Sequence, residues 1–516
     1  MARKLTGSDD KQRQQSETTA GHGGSELPNA NRTVSRLGRR ALLQTSVAAA
    51  TGLLVTGSAV ASADSTDRES ITFERTIDAV DDLGMDPEGN TSVTESITSI
   101  EPNTLVQFPD GEYLIDERID LPLDGTVGFE AVGDATIVGA EGFGDTAWNV
   151  RGVEGVYYGG FTHDQSDGAV GHFFRASEQI EIHDIDVTGR AGDWAVELAP
   201  HITDPDGVAR VVNYTNKTGS SWASYAEAAG RIGAWVGHEH EGTLQFIDCD
   251  FREYGNNALY TSHCPGNVQV IDSYFENNNV ASIRIGGDGS FVENTEIVIS
   301  EDRYTGPRED EDTSFFLRGI LIEEHHERNG QKPAGAAVKD CEILVEDNPT
   351  NGPAIEVWSN GRSLDVTGTT IEYHTDGTAA IRREDYSPKR NHPPGEPPRA
   401  LTVSNCTVTG SGSVPAVIDI EDGDESLIEA CEITWDGTNV DGIRIANSDD
   451  CAILDSTVDV PGEATVFVDS TVETSGNADE LGAEQVESDN ESTTDTNNRS
   501  ESTLSLQLPN PPRWWH

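Results

Sequence analysis

Asp248-Cys249-Asp250-Phe251, Asp272-Ser273-Tyr274-Phe275 and Asn294-Thr295-Glu296-Ile297 repeat one pattern: Asp or Asn, a small or thiol residue, any residue, then an aliphatic or aromatic one. It returns at Asp340-Cys341-Glu342-Ile343, Asn405-Cys406-Thr407-Val408 and Asp455-Ser456-Thr457-Val458, and Ala430-Cys431-Glu432-Ile433 fits except at its first position. Cys249 to Ser273 is 24 residues, Ser273 to Thr295 is 22, and Cys406 to Cys431 and Cys431 to Ser456 are 25 each. Thr295 to Cys341 is 46, two turns or one turn with an insertion. A period this short, with alternating apolar residues and no amphipathic helix, means one set of strands per turn of a solenoid.

A second strand follows the first in most turns: Leu259-Tyr260-Thr261, Ile283-Arg284-Ile285, Ile320-Leu321-Ile322, Ile355-Glu356-Val357, Ile381-Arg382-Arg383, Ile418-Asp419-Ile420, Ile443-Arg444-Ile445 and Val466-Phe467-Val468. Strand alternation turns the flanking residues inward and the central one outward. This pattern is similar to the right-handed parallel β-helix of the pectate-lyase-like superfamily. The opening Val106-Gln107-Phe108-Pro109-Asp110-Gly111-Glu112-Tyr113-Leu114-Ile115, after Ala79-Val80-Asp81-Asp82, resembles the capping segment and first strand of that group. The fold class expected is therefore all-β: a right-handed parallel β-helix with an N-terminal cap over roughly residues 71–470.

Residues 1–34 are polar and aperiodic and read as a disordered leader. Gly38-Arg39-Arg40-Ala41-Leu42-Leu43-Gln44, a modestly apolar run and Ala61-Ser62-Ala63 resemble a twin-arginine export signal with its small-residue cleavage site. The run is too diluted by Thr, Ser and Gly for a membrane anchor, and no later segment is apolar enough to span a bilayer. The domain reading is leader and signal over 1–63, solenoid over 64–470 and an acidic low-complexity tail, expected to be disordered, over 471–516. The expected location is extracellular, by secretion.

The 516 residues carry 91 Asp+Glu against 34 Lys+Arg, a formal net charge of -57. Nucleic acid and anionic membranes are excluded as partners, because both require a positive footprint. Only 6 of the 34 basic residues are Lys. Dispersed acid with scarce Lys resembles proteins of extreme halophiles, the haloarchaeal type, where a Debye length of about 3 Å in molar salt screens self-repulsion. Four of the six cysteines, Cys249, Cys341, Cys406 and Cys431, hold one ladder position. Inward equivalents on adjacent turns stack about 4.8 Å apart and point the same way, which suits buried free thiols better than disulfides.

The outward column of the second strands, extended backwards, reads Glu197, Trp235, Tyr260, Arg284, Leu321, Glu356, Arg382, Asp419, Arg444, Phe467. Rings stack on sugar faces and Arg forks grip carboxylates, so the column suits a polysaccharide; its plain alternative is a solvated face of cross-rung ion pairs. His238 and His263 are 25 apart and Asp288 is 25 further on, each just after a second strand, and the loop Glu323-Glu324-His325-His326 leaves on the same side. Tyr260, His263, Arg284 and Asp288 form the candidate catalytic group, a base, a cation and a carboxylate for acid/base chemistry on a uronate. Trp235, His238, Glu323, His325, Glu356, Arg382, Asp419 and Arg444 are the candidate binding residues. Asp288 and Glu323 are the candidate ligands of a divalent cation, with Ca2+ the cofactor such oxygens would take. Insertions at 300–316, 323–337 and 384–400 flank this face and suit the walls of a cleft.

Named enzymes of the superfamily do not carry over. Of the polygalacturonase-like motifs, Arg444-Ile445-Ala446 resembles only the R-I-K segment, and Trp235-Val236-Gly237-His238 keeps the Trp and His of the pectate-lyase W-x-D-H but has Gly at the Asp position. The leading reading is a secreted polysaccharide lyase or glycoside hydrolase, with Asp288, Glu323 and Glu356 the carboxylates available for hydrolysis. A non-catalytic carbohydrate-binding or adhesin-like solenoid and a tailspike-like trimer are the alternatives.

Overall fold

A computed structural model describes residues 71–192, 196–222, 231–307, 317–324, 332–348, 350–388 and 393–476, and the backbone of 484–486. The expected export signal, most of the acidic tail, His325 and part of each insertion lie outside the described residues. The chain forms an all-β parallel solenoid of about 14 turns. Every strand pairs in parallel with its equivalent one turn away, and three ladders result. The first runs through Thr243–Ile247, Asn267–Ile271 and Phe291–Glu293 to Val472–Ser475. The second holds Asp250–Arg252, Tyr274–Glu276 and Glu296–Ser300, and the third holds Leu259–Tyr260, Ile283–Ile285 and Ile320–Ile322. Val472–Ser475 lies past the expected end of the solenoid at 470, and the backbone of Glu484–Val486 adds to the third ladder.

The repeat has a backbone cause. Its first position sits in the left-handed region at Asp248 (φ 54°), Asp272 (52°), Asn294 (49°), Asp340 (51°), Asn405 (54°) and Asp455 (49°), where the chain turns from the first sheet to the second. Asn and Asp tolerate this conformation better than other residues with a Cβ. Ala430 adopts it too (φ 52°), and Gly368 (63°) fills the turn where the pattern lapses. The next position faces inward as a ladder of short side chains: the Cys249 amide donates to Ser273 Oγ (3.1 Å), Ser273 to Thr295 Oγ1 (3.4 Å) and Cys431 to Ser456 Oγ (3.1 Å). All six cysteines are buried and free.

The lumen is filled by repeated side chains. Tyr214, Phe251 and Phe275 stack on successive rungs, with ring centroids 5.5 and 5.7 Å apart. The N-terminal end follows the opening phrase, with Phe108, Tyr113 and Ile115 fully buried and the short helix Thr94–Thr98 contributing Ile97. Gly111 (φ 156°) is needed there, because a Cβ would lie 2.7 Å from the Pro87 carbonyl oxygen. Among the described residues no helix is long and apolar enough to cross a membrane.

Candidate functional site

The third sheet positions the site. Trp235 pairs with Tyr260, Tyr260 with Arg284, Arg284 with Leu321, Leu321 with Glu356, Glu356 with Arg382, Arg382 with Asp419 and Asp419 with Arg444. The expected column is thus continuous over its middle, and both ends need correction. Arg444 pairs with Val466, while Phe467 packs in the core. Glu197 is buried and accepts hydrogen bonds from Tyr214 Oη (2.5 Å), Tyr254 Oη (2.7 Å), Asn216 Nδ2 (2.8 Å) and Gln165 Nε2 (3.2 Å). Val196 packs with Trp235 on the outer cluster whereas Leu198 belongs to the core, so the alternation slips at Glu197 and sends it inward. Burial pushes its carboxyl up, against the pull of these four hydrogen bonds.

Tyr260, His263, Arg284 and Glu323 come together. Tyr260 Oη and His263 Nε2 are 3.2 Å apart, with their rings edge to face at 4.7 Å. Glu323 accepts from Arg284 (2.5 Å) and Ser262 Oγ (2.9 Å), and His263 Nε2 lies 3.7 Å from the same carboxylate oxygen. Arg284 is sandwiched, 4.2 Å over the Tyr260 ring and 5.0 Å over Trp358. It is 4 % exposed and Glu323 0 %, so the outward-facing Arg284 expected from alternation is in fact part of a buried ion pair. Alternation gives a side chain's direction; it does not say what lies over it.

The next rungs are also neutralised internally. Glu356, 2 % exposed, pairs with Arg318 and with Arg382 (3.5 Å) and accepts from Trp358 Nε1 (3.0 Å). Burial pushes its carboxyl up, but Arg318 and Arg382 outweigh it and hold it below the ordinary carboxylate range. Arg444 pairs with Asp419 at 2.6 Å. Trp235 is buried in an outer apolar cluster with Val196, Ala199 and Ile232, and His238 is half-buried at the end of that strand. Asp288 is exposed, and its amide donates to the Pro333 carbonyl. Trp358, Ser262 and Arg318 were not anticipated. Carrying the alternation two residues on from Glu356 and Tyr260 reaches Trp358 and Ser262; nothing in the repeat marks Arg318.

The divalent-cation reading of Asp288 and Glu323 does not fit this donor set. Arg284 and Ser262 direct N–H and O–H donors at the Glu323 carboxylate, where a cation would need bare oxygens. Among the described residues no group of three or more His, Cys, Asp or Glu is placed to hold a metal.

No protein-family model matches the sequence, and no curated protein matches it either. Solved structures do resemble the solenoid. The catalytic unit of a GH87 alpha-1,3-glucanase from Streptomyces thermodiastaticus is 14 % identical over 80 % of this chain and 68 % of its own, with a TM-score of 0.39. The mannuronan C-5 epimerase AlgE6 A-module of Azotobacter vinelandii is 10 % identical over 77 % of this chain and 99 % of its own (TM-score 0.38). PfbA, a surface adhesin of Streptococcus pneumoniae, is 11 % identical over 82 % and 96 % (TM-score 0.35). Similarities of this size carry neither a reaction nor a ligand over to this chain.

Proposed function

We propose that the chain is a secreted polysaccharide lyase that binds an extended, uronate-containing glycan along the outer face of the third sheet and cleaves it at Tyr260 and His263. The observation that carries this reading is the hydrogen-bonded phenol–imidazole pair, half-buried beside a buried ion pair and between two tryptophans of the same face. Lyase is preferred to hydrolase because hydrolysis needs two carboxylates flanking the bond, about 5–10 Å apart and open to the sugar. Of the three carboxylates available for hydrolysis, Glu323 and Glu356 are buried and held by guanidinium groups, which leaves the exposed Asp288 without an open second carboxylate among them.

The pair can handle both protons of an elimination. His263 Nε2 takes the proton α to the uronate carboxylate as the bond from the β carbon to the leaving oxygen breaks and a C=C bond forms. The Tyr260 phenol protonates that leaving oxygen. The enzyme is left with imidazolium and phenolate 3.2 Å apart, and one transfer along their hydrogen bond restores both. Arg284, held by Glu323 against the Tyr260 ring, favours the negative charge that grows on the phenol oxygen.

A second reading, a non-catalytic glycan-binding solenoid, is favoured by one feature: Arg284, Arg382 and Arg444 each already have a carboxylate partner. The full-length protein, assayed in concentrated NaCl against a panel of uronate and neutral polysaccharides, separates the two. Release of products with the ultraviolet absorbance of unsaturated uronates supports the lyase. Binding without release supports the binder, and new reducing ends without that absorbance would return the site to hydrolysis.

A further inference from the structure

Upstream of Tyr260, the same face continues as a row of rings. Phe173 stacks on His201 at 5.0 Å and His201 lies 5.3 Å from Trp235, the rung neighbour of Tyr260. His201 is buried and satisfied as a neutral ring, with Nδ1 on the Ala199 carbonyl (3.1 Å) and Nε2 accepting from the Gly237 amide (3.1 Å). Burial holds it down at about 4, so it carries no charge at neutral pH.

The row ends at two guanidinium groups. Arg151 and Arg175 are direct rung partners and line one groove of about 390 Å³ with Ser177 and Thr203. Like charges on adjacent rungs repel. Arg175 has Glu239 at 3.0 Å, but Arg151 makes no ion pair among the described residues, in a chain with 91 acidic side chains. Arg151 is exposed and fixed: it lies 4.7 Å over Phe173, and its Nε donates to Asn149 Oδ1 at 2.6 Å. Asn149 is itself held by Asp120. With Nε occupied, the two Nη groups remain as a coplanar pair of donors on a residue that lines the groove, the geometry that matches the two coplanar oxygens of a carboxylate.

We propose that Arg151 and Arg175 form a subsite for the carboxylate of a uronate residue upstream of the reacting sugar, so that the substrate is a polyuronate and not a glycan with isolated uronates. This rests on the lyase reading for the direction of the chain. Four rungs separate Arg151 from Tyr260, about 19 Å at ~4.8 Å per rung, so only an oligomer reaches both. In concentrated salt long-range attraction is screened, and recognition falls to contact hydrogen bonds of this kind.

The test is the affinity of the full-length protein for polygalacturonate and alginate, for their carboxyl-reduced forms and for dextran sulfate, each in wild type, Arg151→Gln and Arg151→Lys. Wild type should bind a uronate polymer at least about tenfold more tightly than its reduced form. Arg151→Gln should abolish that preference, and Arg151→Lys, which keeps charge but loses the fork, should restore only part of it. Equal affinity for the reduced polymer, preference for dextran sulfate, or an unchanged Arg151→Gln would overturn the subsite. A protein that shows this Arg151-dependent preference but releases no unsaturated product keeps the subsite and loses the lyase; one that cleaves polyuronate with Arg151→Gln at the wild-type KM does the reverse.

Discussion

The Arg284 guanidinium lies 4.2 Å over the ring of Tyr260, its neighbour across one rung, and its charge is answered by Glu323. A residue that the strand pattern turns towards solvent is therefore part of a buried, ring-sandwiched ion pair, and its removal should cost stability.

Arg284→Ala leaves the Glu323 carboxylate buried and uncompensated. Breaking a buried pair in this way costs about 3–5 kcal/mol, so chemical denaturation in high salt should show a loss of that order. The double variant Arg284→Met, Glu323→Leu removes both charges and should recover most of it. A single variant as stable as wild type would mean that the pair is open to water.

The core carries its own acid sensitivity. His163 and His172 stack 4.8 Å apart inside the first turns, and among the described residues neither ring nitrogen of His172 has a partner in good hydrogen-bond geometry, the Glu197 backbone giving only a weak one. Burial lowers His163 to about 3 and His172 well below the ordinary imidazole range, with a smaller opposing pull on His172 from the Glu197 backbone. Imidazoles depressed by folding bind protons more readily in the unfolded chain. Stability is thus full above pH ~6.5 and falls by about 1.4 kcal/mol per pH unit per imidazole below it. His172→Phe, which keeps the ring packing, should flatten part of that fall; an unchanged pH profile would show that His172 is hydrated.

Glu324 has the opposite sign. It is buried, neither carboxylate oxygen makes a hydrogen bond among the described residues, and burial raises it to about 7 against the pull of Arg362, Lys332 and Arg383. Its protonated form is favoured by folding, so the contribution is full below its unfolded value near pH 4.3 and lost as pH rises through 7. Glu324→Gln should raise the melting temperature above pH 7 relative to wild type and change it little near pH 5. A difference that is constant with pH would contradict this.

What was legible from sequence divides along the backbone. Asp248, Asp272 and Asn294 mark a left-handed turn that few residue types accept, and Cys249, Ser273 and Thr295 mark a corner with room only for short side chains. Both constraints recur every turn, so they leave a period in the sequence. The column from Trp235 to Arg444 was legible for the same reason, since register copies it from rung to rung. Glu197 was misplaced because a slip in alternation between Val196 and Leu198 leaves no compositional trace. Arg318 escaped because side-chain packing across a face has no period, whereas Trp358 lay one step of alternation beyond Glu356.

The six thiols supply a check on the ladder. Burial raises Cys249 to about 12 and Cys341 to about 11, which suppresses the reactive thiolate; Cys431 is lowered by its hydrogen bond with Cys406, so burial alone shields it. None of the six should react with iodoacetamide at pH 8 in the folded protein, and all six should react after denaturation. Fast labelling of any one would show that its turn is open.

The Tyr260–His263 pair is tested most directly by the rate at which wild type, Tyr260→Phe and His263→Gln form unsaturated uronates from a polyuronate in concentrated salt. Tyr260→Phe keeps the ring under Arg284 and removes only the hydroxyl that meets His263. Both variants should unfold at temperatures close to wild type and lose at least about 100-fold in turnover, the scale of a missing acid or base. Either variant working at the wild-type rate would contradict the assignment of cleavage to this pair.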